Sequence, residues 1–271
     1  MAGIGFSAPA RRPGHWWGWR VLPWLSMAAF FLAWEGFARS GLVTPFMLPA
    51  LSVVVERIAG DAMSGDLLQN LGLTLYRSLA GFLIAVMAGI ALGIGMVRNR
   101  VLRWFFDPII SIGFPMPKIA FLPIVGLWLG YYDASKISMI VFDAIFPVVT
   151  ATIAGAQAVE RELVWSARNM GASERRILWE IVLPAALPQI LTGLQVALPI
   201  ALIVCIVAEM TMGGIGLGGA MLTASRFADS PGVFAGIVEI AVAGLALVKG
   251  MSMVRRRLLL WHQEALAPAT M

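Results

Sequence analysis

The stretch that decides the reading is polar and lies between two apolar ones: Val164-Trp-Ser-Ala-Arg-Asn-Met-Gly-Ala-Ser-Glu-Arg-Arg-Ile-Leu-Trp-Glu-Ile-Val-Leu-Pro-Ala-Ala-Leu-Pro188. Gly171 predicts the end of one short helix, because only glycine enters the left-handed cap conformation without steric cost. Ser173 predicts the cap of the next helix, with Glu174 at its positive end. Ile177, Leu178 and Ile181 form one apolar stripe, while Glu174, Arg175, Arg176 and Glu180 supply charge. Leu183-Pro184 is expected to stop that helix. A polar helix–turn–helix between apolar runs is either a docking surface or an amphipathic loop lying on lipid.

The rest of the chain belongs in a membrane. Hydrophobic residues make up 59% of it and charged residues 13%, with a mean hydropathy of +0.84. A soluble domain carries about 25% charged residues, so this chain lacks the polar surface to cover itself in water. One cysteine, Cys205, excludes an intrachain disulfide. His15 and His262 lie near the ends, which argues against a metal site.

Over a window of about 20 residues, six apolar segments emerge: 21–37, 73–97, 108–130, 137–157, 187–208 and 233–254. Arg11, Arg12 and Arg20 precede the first as in a signal peptide. No small-residue cleavage site follows, so a retained span is expected. With the N-terminus inside, 14 of the 20 Lys and Arg fall on the inner side. Arg39, Arg57, Lys136 and Arg226 fall outside, and Arg77 and Lys118 lie within spans. That asymmetry predicts cytoplasmic termini and a cytoplasmic polar loop. The net charge of +5 is thus mostly a topology signal. No soluble basic face for nucleic acid is present.

The polar stretch resembles the cytoplasmic coupling loop of ABC importer permeases, the EAA loop. Its pattern is Glu-Ala-Ala-x-x-x-Gly, a run of about nine residues, then Ile-x-Leu-Pro. Ala167, Gly171, Ile181, Leu183 and Pro184 fall on it. Ser166 stands where the Glu is usual and Arg168 where the second Ala is usual, which bears on the exact contacts. Other fragments are similar to nitrate/sulfonate/taurine-type permeases. They are Trp34-Glu35 with Phe46-Met-Leu-Pro49, Leu75-Tyr-Arg-Ser-Leu-Ala-Gly-Phe82, Phe114-Pro-Met-Pro-Lys118 through Pro123, Ala208-Glu-Met210, and Gly216-Leu-Gly218. Their order and spacing cover the chain from about residue 30 onward.

That resemblance implies an all-α polytopic membrane protein with six transmembrane helices, the type I ABC importer permease fold, and both termini cytoplasmic. A cytoplasmic tail would occupy 1–20, and a first helix with a periplasmic segment 21–70. The permease core would span 71–257 with its coupling loop at 158–186, and a second tail 258–271. The coupling set is Ala167, Gly171, Ala172, Ser173, Arg175, Ile177, Ile181, Leu183 and Pro184. Implied partners are a second copy of the chain, two cytoplasmic ATP-binding subunits and a periplasmic or lipid-anchored solute-binding protein, in a bacterial inner membrane. The subfamily implies a small anion, such as sulfonate, taurine or nitrate; such permeases also serve pyrimidine-type vitamin precursors.

Ionisable residues inside a membrane are expensive and usually functional. Lys118, Asp143, Glu209 and Glu239 qualify. Counting about 1.5 Å per residue from the span ends, Lys118 and Asp143 lie at nearly one depth and are expected to pair. Glu239 competes as the partner, and contact of Lys118 with substrate is the alternative. Glu209 is expected at the outer interface, solvated by water. Pro115, Pro117 and Pro123 break backbone hydrogen bonds in the third span, which is expected either to lie beside the pathway or simply to kink. Gly81, Gly89, Gly93 and Gly95 allow close helix contact or plain bilayer packing. Gly213, Gly214, Gly216, Gly218 and Gly219 read as a flexible or re-entrant periplasmic gate loop.

No Gly-x4-Gly-Lys-Ser/Thr motif occurs, nor any Ser/His/Asp or Cys/His set. The chain is therefore expected to be a transport subunit rather than an enzyme, with no cofactor and with ATP hydrolysed by a partner. An ion-coupled secondary transporter using Asp143, Glu209 and Glu239 as a relay is the alternative. It leaves the polar loop unexplained, and the inverted repeats frequent in such proteins are not visible. A membrane enzyme is disfavoured by the missing catalytic set.

Overall fold

The computed structural model describes residues 16–261. Arg11, Arg12, His15 and His262 lie outside the described residues, as does most of both expected tails. In chain order the helices are α1 (Trp16–Arg39), α2 (Leu51–Ser64), α3 (Asp66–Arg98) and α4 (Arg100–Gly113). A 3-10 turn (Lys118–Phe121) leads into α5 (Leu122–Leu129), followed by α6 (Asp133–Gln157) and α7 (Arg161–Asn169). Then α8 (Glu174–Ile177) passes through a π turn (Leu178–Val182) into α9 (Leu183–Met212), before α10 (Leu217–Arg226) and α11 (Ser230–Leu258). Among the described residues there is no strand.

Helices α3, α6 and α9 form the core. Their closeness follows from small residues on one face. Cβ atoms added to Gly81, Gly89 and Gly93 would meet side-chain atoms of Ile140, Val148 and Thr152 at 2.5, 2.8 and 2.7 Å. The eight- and four-residue steps match on the two helices, so these three glycines serve helix contact. Gly95 faces only Leu102, at 3.4 Å. Gly193 of α9 packs in the same way against Ala151 and the Pro147 carbonyl.

Four helical stretches are long and apolar enough to cross a membrane: Asp66–Arg98, Asp133–Gln157, Glu174–Met212 and Ser230–Leu258. The pair α4 and Lys118–Leu129 passes the same test together but is bent by 96°. The expected single span at 108–130 is thus two half-helices. Pro115 and Pro117 occupy the break, where each lacks a backbone donor with which to continue α4. Pro123 stands in the first turn of α5, where its missing N–H is harmless.

The expected stop at Leu183-Pro184 does not occur. The helix continues, and Glu174–Met212 is one stretch of 39 residues. The π turn explains why. Leu183 N–H already reaches back five residues to the Leu178 carbonyl, and Pro184 enters as a first-turn residue of α9. The widened turn removes the demand for a donor at position 184.

Candidate functional site

The polar stretch folds as two short helices meeting at a corner. Helix α7 ends in a Schellman cap: Gly171 N–H donates to the Arg168 carbonyl at 2.9 Å and Ala172 N–H to the Ala167 carbonyl at 3.0 Å. Gly171 has φ +80° there. A Cβ on it would meet nothing within 4 Å, so backbone geometry alone requires glycine. Ser173 Oγ then accepts from Arg176 N–H and caps α8. Arg168 bridges the corner to Glu174, Nε to Oε1 at 2.9 Å. That hydrogen bond, with the guanidinium charge, holds the Glu174 carboxyl below its ordinary range. Ala167 and Ile177 are buried beneath the corner. Arg175 and Pro184 are exposed, while Ala172, Ile181 and Leu183 are half-buried.

At the break in the third apolar segment, Lys118 is buried and its Nζ lies 2.8 Å from Asp143 Oδ1. The ammonium also donates to the Phe114 carbonyl at 3.2 Å and sits 4.6 Å above the Phe146 ring. A carboxylate, carbonyls and an aromatic face thus replace the ammonium's water. Glu239 is not the partner. It lines a cavity of about 430 Å³ among α2, the start of α3, α10 and α11, together with Arg57, Asp61 and Asp229. Its Oε1 has no hydrogen-bond partner among the described residues.

Glu209 departs from the expectation of an exposed interface residue, because it is fully buried. Arg77 NH1 donates to Glu209 Oε1 at 2.7 Å, and the two side chains are 6% and 0% exposed. Thr74 Oγ1 donates to Glu209 at 2.9 Å and Gly218 N–H at 3.1 Å. Arg77 Nε reaches Asp133 at 2.7 Å, and its NH1 also reaches the Ile215 carbonyl at 2.6 Å. Lys136, buried rather than outside in water, donates to the Gly213 carbonyl at 2.8 Å. Two cations and two carboxylates balance, so the low-dielectric site carries no net formal charge.

This network changes the reading of the glycine loop, which is pinned rather than free. Gly216 N–H donates to Asn70 Oδ1 at 2.9 Å and Leu217 N–H to Thr74 Oγ1 at 3.0 Å. Gly216 itself has φ +146° and lies against the Glu209 carboxylate, where a Cβ would collide with it. A Cβ on Gly218 would collide with the Ile206 carbonyl. The glycines let the loop close over a buried carboxylate.

Sequence reading missed Asn70, Thr74, Arg77, Asp133 and Lys136. The signal available was Arg77 itself: an arginine in an apolar run requires a carboxylate partner. Arg77 and Glu209 are 132 residues apart in the chain, and depth alone does not pair them.

The profile of the binding-protein-dependent transport system inner membrane component matches residues 81–259. The chain belongs to that family. The permease is 34% identical over 244 residues to the taurine transport system permease protein TauC of Escherichia coli K12, covering 88% of this chain and 89% of that one. It is 30% identical to the putative aliphatic sulfonates transport permease protein SsuC of Bacillus subtilis 168, covering 94% and 91%. A chain of the MetNI methionine ABC transporter in an inward-facing conformation superimposes with a TM-score of 0.55. That pair shares 18% identity and covers 70% of this chain and 98% of the other, a likeness of fold. The permease is an inner-membrane transport component and not itself an enzyme. The matched region includes the corner, Lys118, Asp143 and Glu209, while Thr74 and Arg77 precede it.

Proposed function

We propose that the permease crosses the membrane six times with both termini cytoplasmic, α1 and the bent pair each counting once, and works as a homodimer. The dimer forms the pathway for a small anion, such as taurine, another sulfonate or nitrate, delivered by a periplasmic binding protein. Two cytoplasmic ATP-binding subunits drive it by gripping the corner at 158–186. In this reading Ala167, Gly171, Ala172, Ser173, Arg175, Ile177, Ile181, Leu183 and Pro184 couple ATP hydrolysis to transport. The substrate class rests on relatives named for taurine and for aliphatic sulfonates.

The observation that carries the coupling role is the capped corner. Gly171 at φ +80° turns two polar helices, and none of the described residues comes within 4 Å of a Cβ placed there. Such a corner serves a partner rather than the permease's own core. The intramembrane charges favour selection by the binding protein. Lys118 is held by Asp143, Arg77 by Glu209 and Asp133, and Lys136 by the Gly213 carbonyl. None is left as a free cation to select an anion.

The test is Gly171→Asp. The variant should reach the membrane at normal yield, while ATP-dependent uptake and co-purification of the ATP-binding subunit are lost. Left-handed geometry costs a non-glycine residue about 1–2 kcal/mol, too little to unfold the chain. Normal uptake by that variant would overturn the coupling role. Uptake abolished by an uncoupler in ATP-replete vesicles would favour a secondary transporter.

A further inference from the structure

Beside the Gly171 corner lies a notch of about 210 Å³ that none of the described residues fills. Its floor is Ala167 and Ile177, both 3% exposed. Ala172 and Ile181 form its walls, Met170 stands 79% exposed at its mouth, and the Arg176–Glu180 pair forms its rim. We propose that this notch receives one uncharged apolar side chain, leucine- to phenylalanine-sized, projecting from the ATP-binding subunit. The inference rests on the coupling role proposed above and reverses part of its geometry. The corner enters a partner groove, and it also offers a socket.

Size comes first. An apolar cavity of about 150 Å³ takes a benzene ring, so this volume admits a branched or aromatic side chain. Charge comes second. Arg176 Nε lies 2.8 Å from Glu180 Oε2, and Arg168 Nε lies 2.9 Å from Glu174 Oε1. All four charges around the corner are closed on one another. The mouth therefore presents neither an unpaired cation nor an unpaired anion, and its complement is an apolar group. Arg175, an exposed guanidinium, does not line the notch. Position comes third. Helix α7 packs chiefly on α8 and the π turn, beyond the ends of the apolar spans. Ala167 in the floor and Ala172 in one wall carry only a methyl each, which leaves the notch open. Central, desolvated anchors in pockets of this kind carry a large share of binding energy.

Cys205 is fully buried, so a cysteine placed in the notch is the only accessible thiol among the described residues. The experiment labels Ala172→Cys with a maleimide, in the permease alone and co-assembled with the ATP-binding subunit of its own transport system. Met63→Cys, exposed on α2 and outside the 158–186 corner, is the comparison. Labelling at position 172 should slow by about tenfold or more on assembly. Ala172→Phe, which fills the notch from within, should weaken capture of the ATP-binding subunit by about tenfold. Equal labelling rates at 172 with and without the subunit would overturn the proposal. So would slow labelling in the permease alone, which would mean that lipid or the chain itself occupies the notch. Gly171→Asp separates the two readings. If it abolishes capture while position 172 stays reactive in the wild-type complex, only the socket fails. If it leaves capture intact, the coupling role fails with it.

Discussion

Replacing Arg77 with methionine removes the cation that pairs directly with Glu209. In the intact protein Glu209 is fully buried and accepts from Arg77, Thr74 and Gly218. The variant leaves it with a hydroxyl, one backbone N–H and the weakly donating Cys205 thiol. Breaking a buried ion pair from one side costs about 3–5 kcal/mol, and the three surviving donors place this case near the lower end. At about 2–4 °C per kcal/mol for a chain of this size, Arg77→Met should lower the midpoint of thermal unfolding in detergent by roughly 6–12 °C. The double variant Arg77→Met, Glu209→Gln removes both charges, and Asp133, 46% exposed, can turn to water. It should cost less than the sum of the single variants by about 1.5 kcal/mol or more. Strict additivity, or a shift under about 2 °C for Arg77→Met, would refute the idea that this pair holds the outer loop.

Three further outcomes are expected. Gly218→Ala should lower the yield of folded permease sharply, because its Cβ meets the Ile206 carbonyl, which is backbone and cannot swing aside; size-exclusion chromatography reads this. Lys118→Met should reduce both yield and uptake by stranding Asp143 at membrane depth, and adding Asp143→Asn should restore part of the yield on immunoblots of membranes. Glu174 titrates below the ordinary carboxylate range, so its contribution is complete above the unfolded value of about 4.3 and fades only as pH falls through its lower folded value. Capture of the ATP-binding subunit should therefore stay flat from about pH 8 to pH 5 as far as the Arg168–Glu174 bridge governs it, and Arg168→Gln should shift any acid loss upward.

What could be read from the sequence was whatever depends on one coordinate. A membrane reduces helix pairing to a question of depth, and counting residues from span ends put Lys118 level with Asp143. Gly171 and Ser173 announce their caps locally, because each cap needs only its own few residues. Rotation about the helix axis is a second coordinate, and sequence gives no absolute value for it. That is why Glu209 was placed in water and Arg77 received no partner. Both face the α3–α9 seam, where the glycine loop folds over them. Pro115 and Pro117 indicated a break but not its 96° bend, which depends on Lys118 docking against α6. Pro184 misled because a proline stops a helix only where a donor is required, and the π turn ahead of it removed that requirement.

The 39-residue helix from Glu174 to Met212 puts the Gly171 corner and the Glu209 cluster on one rod. From Glu174 to Glu209 that rod is about 50 Å long. Pivoted at its Glu174 end by about 5°, it sweeps the carboxylate of Glu209 sideways by roughly 4–5 Å. No hydrogen bond of about 2.7 Å survives such a displacement unless its donor travels too. Arg77 and Thr74 sit on α3, and Asp133 and Lys136 begin α6. Leverage on α9 therefore either drags three helices together or tears the outer cluster open. Slack lies in the widened turn at Leu178–Val182, at the foot of the rod, and at Pro188 and Pro199 within α9, where a backbone hydrogen bond is missing.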